Sequence, residues 1–351
     1  MAVWNPFDPN SGFWDLMSLT DSFNSTRWLI GQAMGLNLVN WQSETSLKVA
    51  IERINQQIGL LDPVERGTPA KQINPDKADL IDTRGFRLAG EATITADSLR
   101  DLRVYGTEGQ RRGIEAKKAE MMQRIGAYID ASLEHAVLGG VQGIVKRPSD
   151  GATVLSSYTL MSKVQAAEVN LEFDETDPTA TIKAINGIVQ DIMDALGQRA
   201  FFVDHIHCLT DRTGFQNLLV STAFRESYKF DSVSEMLRNG RLFQPIAWQQ
   251  VVWEQYRLGN SGFSGGSFIG TGKFIFFPVF QDPALSIFQG RWIPGESIPD
   301  LEIPGQRRYM RAGVDLELMD APRWVKLVGE SYPLLWCEEP DALRRGDDGV
   351  A

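Results

Sequence analysis

The sequence predicts an α+β fold, and three observations carry that expectation. Between Thr107 and Gly140 the apolar residues Ile114, Met121, Ile125, Ile129, Leu133 and Val137 recur at steps of seven and four, the single stripe of one long helix. From Ser46 the chain alternates at strand period, with Leu47, Val49 and Ile51 on one side and Lys48 and Glu52 among the others. Between about residues 180 and 310 helix and strand patterns follow one another irregularly, which excludes the regular alternation of a doubly wound dinucleotide fold.

Residues 1–43 hold four of the nine tryptophans, and their seven large aromatics are broken up by Asn5-Pro6 and Asp8-Pro9. An irregular arm cannot bury such side chains by itself, so either the body of the same protein or a neighbouring subunit must cover them. The strand from Ser46 calls for a partner, expected over Gly85–Ile94. The stretch between them is rich in Pro, Gly and charge and too long for a tight turn. Residues 44–95 carry eight acids and seven bases, a mixed-charge projecting element with little core of its own.

For the long helix, Thr107 and Gln110 have capping-box spacing, and Gly139-Gly140 are expected to end it. Arg111, Arg112, Glu115, Lys117, Lys118, Glu120, Arg124 and Asp130 are expected on its outer surface. About thirty residues at 1.5 Å each make a rod of roughly 45 Å, a scaffold spine. Pro148-Ser149-Asp150-Gly151 reads as the turn of a hairpin, and Asp177-Pro178 as the cap and first turn of a helix from Thr179 to Leu196, closed by Gly197. Ala200–Leu209 reads as a buried strand, Arg212–Phe230 and Ser232–Arg238 as helices, and Ile246–Arg257 and Lys273–Phe280 as strands. Gly313–Met319 and Trp324–Cys337 read as returning strands, followed by a frayed charged tail, EEPDALRRGDDGVA.

Composition is that of an ordinary globular chain: 43% hydrophobic and 23% charged over 351 residues, long enough for two domains. A net charge of −10 argues against wrapping phosphate backbones. Cys208 and Cys337 make neither a disulfide framework nor a four-cysteine zinc site, and a reducing cytoplasm is expected. Asp8, Asp15 and Asp21 precede Arg27, the wrong order for a signal peptide, and no apolar run approaches membrane-spanning length.

Two stretches invite a catalytic reading. In GFSGGSFIGTGK (262–273) a phosphate loop would need glycine where Ser267 stands and a hydroxyl residue where Phe274 stands. Asp204, His205, His207 and Cys208 offer metal-ligand atoms, but on a strand the two histidines share one face and Cys208 takes the other, so a satisfied structural pair is expected. Glu338-Glu339 is expected to serve solubility. No cofactor and no active site are expected, and an enzyme centred on Asp204–Cys208 or the glycine loop is the reading from a different class.

Four stretches in order, DPNSGFWDLMSLTDSFN, FRLAGEATITADSLRDLRVYGTE, VVWEQYRLGN followed by FIFFPV, and ESYPLLWCEEPDAL, resemble the major capsid proteins of lambda-type tailed phages, the phage major capsid protein E family. The resemblance implies a Hong Kong 97-type capsid fold. It implies an N-terminal arm (1–43), an extended loop (44–95), a peripheral domain with the spine helix (96–180), an axial domain (181–310) and a return to the peripheral domain with a C-terminal tail (311–351). It also implies self-association into pentamers and hexamers of an icosahedral head. That head would enclose double-stranded DNA without binding it specifically, with scaffold, decoration and portal proteins as further partners and no membrane. The compartment-forming encapsulins, which share the fold, are the nearer alternative. Candidate inter-subunit contacts are Trp4, Phe7, Phe13, Trp14, Phe23, Trp28 and Trp41 in the arm, with Arg66, Lys71, Asp76, Lys77 and Arg84 in the loop.

Overall fold

In the computed structural model the described residues are 16–25, 31–54, 78–95, 110–173, 177–227, 245–257, 268–297, 300, 303–314 and 324–349. Helices α1 (Leu16–Ser25) and α2 (Gln32–Gly35) lead into β1 (Val39–Ser43), β2 (Lys48–Ile54), β3 (Ala78–Arg84) and β4 (Leu88–Thr95). The long helix α3 (Gln110–Val141) is followed by β5 (Ile144–Lys146), β6 (Thr153–Ser156), the single turn α4 (Ser157–Leu160) and β7 (Val169–Asn170). Then come α5 (Pro178–Leu196), β8 (Val203–Thr210), α6 (Arg212–Val220), α7 (Thr222–Ser227), β9 (Ile246–Trp248), β10 (Val251–Gln255) and β11 (Lys273–Phe280). The chain closes with β12 (Phe288–Trp292), β13 (Tyr309–Val314), β14 (Trp324–Ser331), β15 (Pro333–Cys337) and β16 (Arg344–Asp347).

Helix α3 has 32 residues, about 48 Å of rod. Ile125, Ile129, Leu133 and Val137 are buried as their spacing predicts, the first three against β4 and β14 with Ile94, Val325 and Leu327 completing the core, and Val137 in the core of the larger sheet. Thr107 lies outside the described residues. The two glycines do not end the helix, which runs on to Val141: a Cβ on Gly140 would meet Leu335 at 2.4 Å, so they serve close packing, and Gly143 at φ +77° turns the chain. Asp130, expected on the outer surface, is 1% exposed.

The strand pairing differs from the sequence expectation. β2 pairs antiparallel with β3, Ile51 opposite Ile81, whereas β4, which occupies the stretch expected to be its partner, pairs with β14. The break falls at Gly85, where a Cβ would come within 2.8 Å of the Ile293 side chain and 3.1 Å of the Pro333 carbonyl oxygen. Phe86 N–H then bonds that same oxygen at 3.2 Å. The segment is thus a two-stranded ribbon followed by a strand of the sheet β13–β14–β4.

A six-stranded sheet in the order β7–β16–β11–β8–β10–β9 carries the second core, in which α5 buries Ile185, Val189, Ile192 and Leu196. Asp177 caps that helix by accepting from Thr179 N–H at 2.9 Å, as predicted. Ile246–Arg257 is a hairpin rather than one strand, because Gln249 and Gln250 both take positive φ, 51° and 63°, in the two-residue turn between β9 and β10. The helix expected over Arg212–Phe230 breaks at Ser221, whose hydroxyl donates to Leu218 O at 2.7 Å and accepts from Phe224 N–H at 3.4 Å. Ser232–Arg238 lies outside the described residues. The C-terminal tail is not frayed up to Gly349. β16 inserts between β7 and β11, and Ala342 and Leu343 are buried because they cover the same core as α5.

Candidate assembly interface

The arm is fixed at two points by acids of α3 that sequence periodicity placed among solvent-facing residues or did not single out. At the first, Asp130 meets the guanidinium groups of Arg308 and of Arg307, the latter at 3.1 Å. Arg308 lies 5.1 Å above the Phe23 ring and donates to Phe23 O at 3.4 Å, so α1 is held by apolar, cation–π and ionic contacts together. Burial lowers the Arg307 pKa to about 10, while Asp130 works to raise it. At the second, Glu134, 3% exposed, accepts from Ala33 N–H at 2.8 Å and Met34 N–H at 2.9 Å, the orphan donors at the start of α2, and from the Tyr256 hydroxyl at 3.0 Å. Burial and the Glu134 carboxylate both push the Tyr256 pKa up.

Gln32 extends this junction to β10. Its amide donates to Glu254 Oε1 and to Gln255 O, both at 2.9 Å, and its oxygen accepts from Arg257 N–H at 2.5 Å. Burial works to raise the Glu254 pKa, but hydrogen bonds to His207, at 3.1 Å, and Gln32 outweigh it and hold the value below the ordinary one. A second ionic chain ties β4 to β13 and β14: Glu330 is shared by Arg87, whose Nε lies at 3.0 Å, and Arg311, which also reaches Asp300.

Of the predicted contacts, Trp4, Phe7, Phe13, Trp14, Trp28, Arg66, Lys71, Asp76 and Lys77 lie outside the described residues. Phe23 is corrected, and Trp41 has a partner within its own chain. Phe23 is fully buried in its own subunit, against α3 and Arg308, because Gly126 leaves the room its ring needs. Trp41 stacks on Trp292 of the same chain with ring centroids 4.1 Å apart. Arg84 is exposed at the end of β3, opposite Lys48. The ribbon is anchored at its base, where Val49 and Ile51 pack with Ile293, Tyr332 and Leu334, while Leu47 and Leu80 stay 48% and 65% exposed.

His207 is 2% exposed and held between Glu254 and His205, which in turn faces Asp204 at 2.8 Å. Cys208 is buried, and burial pushes its thiol pKa up. Among the described residues no three histidine, cysteine, aspartate or glutamate side chains are grouped to hold a metal ion. Residues 262–267 of the glycine stretch lie outside the described residues, and Lys273 is engaged by Glu168 at 2.7 Å and Asp347 at 3.7 Å. Glu338 and Glu339, expected to serve solubility, clamp Arg199 at 2.8 and 3.4 Å. The i, i+4 pair Asp130 and Glu134 beside an apolar stripe, together with the Arg307-Arg308 dipeptide, were the signals available for the buried anchors.

The family model described as phage major capsid protein E matches residues 15–347. No curated protein matches the chain. Among solved structures, the mature capsid of bacteriophage PhiM1 aligns at TM-score 0.53 and 11% identity over 92% of this chain and 88% of that one. The putative capsid protein of a prophage of E. coli CFT073 aligns at TM-score 0.53 and 9% identity over 95% and 98%. The capsid of Myoviridae phage XM1 aligns at TM-score 0.50 and 13% identity over 92% and 93%. Spine helix, ribbon and sheets together form a Hong Kong 97-type capsid fold.

Proposed function

The chain belongs to the phage major capsid protein E family, and from that premise we propose that it closes, as pentamers and hexamers, into the icosahedral head around the double-stranded DNA of a tailed phage. It is a structural shell protein. Its work is self-association, and the ribbon β2–β3 supports this most directly: two strands that among the described residues pack on the rest of the chain through Val49 and Ile51, with Leu80 65% exposed and charges of both signs along them, lie on an adjacent subunit. The arm contributes by its remaining aromatics, Trp4, Phe7, Phe13, Trp14 and Trp28. A net charge of −10 suits a container, because a basic lining would hold packaged DNA rather than release it. The resulting particle resides in the virion and assembles in the host cytoplasm.

Electron microscopy of the expressed protein tests the reading. Closed shells are expected from the wild-type chain, and Leu80→Asp is expected to leave soluble, helical subunits that do not close. Subunits that never assemble under any ionic condition would overturn it. An encapsulin-like compartment would give shells too, but the family match is to phage capsid proteins, which favours a genome over an enzyme cargo.

A further inference from the structure

Four side chains form an unbroken line from solvent to the arm: Asp204, His205 and His207 on β8, and Glu254 on β10. His205 Nδ1 lies 2.8 Å from Asp204 Oδ2, His205 Nε2 lies 3.4 Å from His207 Nδ1, and His207 Nε2 lies 3.1 Å from Glu254 Oε2. The two rings share a face because they are two residues apart on a strand. Parallel pairing sets Val252 beside His207 and so brings Glu254, two residues on, to that same face. Gln32, at the start of α2, donates to the other Glu254 oxygen at 2.9 Å.

A carboxylate only accepts hydrogen bonds, so each of the two outer contacts needs an N–H from a ring. Two neutral imidazoles hold two N–H groups between them, and the carboxylates use both. The inner nitrogens would then meet lone pair to lone pair. They do point at one another: the ring centroids, 5.6 Å apart, exceed the nitrogen separation by about one ring width. Two zinc–nitrogen bonds of about 2.0 Å do not fit on a line of 3.4 Å, so the geometry is not that of a bridging metal ion. One additional proton turns the inner contact into N–H···N and satisfies all three contacts, whereas two would set N–H against N–H.

The surroundings leave this arithmetic unchanged. β11 faces the rings with Val279 opposite His205 and Phe277 opposite His207, the Phe277 ring 5.4 Å from that of His207, and neither side chain titrates. Arg257 acts on Glu254 as a further cation, and α3 turns its Glu134 to Ala33, Met34 and Tyr256. Against burial, hydrogen bonds from His207 and Gln32 hold Glu254 below its ordinary pKa, so it stands there as the accepting carboxylate.

We propose that His205 and His207 hold one proton between them, and that this shared proton is a pH-sensitive lock on the docking of α2 against β10. With the proton in place His207 faces Glu254 as a cation, and charge-assisted hydrogen bonds are roughly twice as strong as neutral ones. When it leaves, the exposed contact between Asp204 and His205 is given up to water, and Glu254 keeps only a neutral donor. The hold on Gln32 weakens with it. Stability that depends on a proton bound in the folded state is lost as pH rises past the point at which that proton leaves. The lock lies within one subunit and goes beyond the shell reading without depending on it.

Nitrogen-15 NMR of the histidine side chains in the purified full chain tests it, with His135 as the only other histidine signal. Near neutral pH the His205 and His207 rings are expected to carry three N–H protons between them and to lose one as a coupled pair on alkaline titration. Over the same titration, hydrogen exchange of residues 31–36, corrected for its intrinsic pH dependence, is expected to speed up about fivefold. His205→Leu removes the inner acceptor and is expected to abolish that response. His205→Gln, whose amide oxygen still accepts from His207, is expected to keep it. Two N–H protons on the two rings at neutral pH, independent titration of the rings, exchange of residues 31–36 that ignores pH in the wild type, or zinc bound stoichiometrically between the rings overturns the inference. Each of these outcomes leaves the shell reading standing.

Discussion

Two carboxylates show how differently this subunit treats charge. Asp130 on α3 is 1% exposed and fixed between Arg307 and Arg308, whereas Asp82 on the ribbon is 63% exposed and 3.9 Å from Lys48. Removing a charge from water costs several kcal/mol unless a partner is held in place, so the first pair must be locked by surrounding packing, here Phe23, α1 and the strand β13. The second retains its water and contributes little within its own chain. The difference teaches which surfaces are committed to the subunit and which are left for neighbours.

The largest expected effect follows from breaking the buried side. Asp130→Ala strands two guanidinium groups beside Phe23 and should destabilise the free subunit by about 3–5 kcal/mol. Denaturant unfolding reads this directly, and a loss under 1 kcal/mol would mean that water reaches the arginines. Glu134→Ala removes acceptors from two backbone donors of α2 and from the Tyr256 hydroxyl. It should cost about 2–4 kcal/mol, less than the charge cluster because the orphaned groups are neutral. Protease cleavage in residues 31–41 should rise with it, and unchanged cleavage would place the arm's anchor elsewhere.

The spine, the capped helix Pro178–Leu196 and the strand Lys273–Phe280 were legible because each is a long or strongly patterned element whose local signals agree. What escaped was non-local. The partner of β2 is decided by a three-residue break at Gly85 and by Pro333, almost 250 positions away, and no alternation pattern carries that information. The charged tail read as frayed because its acids and arginines mask Ala342 and Leu343, which enter the core, and Gly346, which β16 pairs with Phe274. Asp130 and Phe23 were misassigned together and for one reason: each is the other's cover through Arg308, a contact spanning 285 residues for Phe23 and 178 for Asp130.

A moderate effect is expected from acid. The Glu254 pKa is depressed from 4.5, so its contribution to the junction with Gln32 and His207 is present above that value and is lost as pH falls through the lower folded value. Thermal melts of the wild-type subunit should therefore fall more steeply below about pH 4.5 than those of Glu254→Gln, which keeps the shape of the side chain without its titration. Parallel slopes for the two proteins would show that other carboxylates set the acid limit.

The smallest effect is expected on the exposed side, and its smallness is the point. Lys48 and Asp82 sit 3.9 Å apart with 54% and 63% of their side chains exposed, so solvent screens most of their attraction. In the free subunit a double-mutant cycle with Lys48→Ala and Asp82→Ala should give a coupling of about 0.5 kcal/mol or less. In assembly the two residues should separate if the Asp82 carboxylate meets a basic group of the next copy. Asp82→Ala should then lower particle yield in a salt-dependent way, with Lys48→Ala nearly silent at every salt concentration. If both substitutions reduce assembly equally, the pair acts as a unit that stiffens the ribbon, and the carboxylate is not singled out by a neighbour.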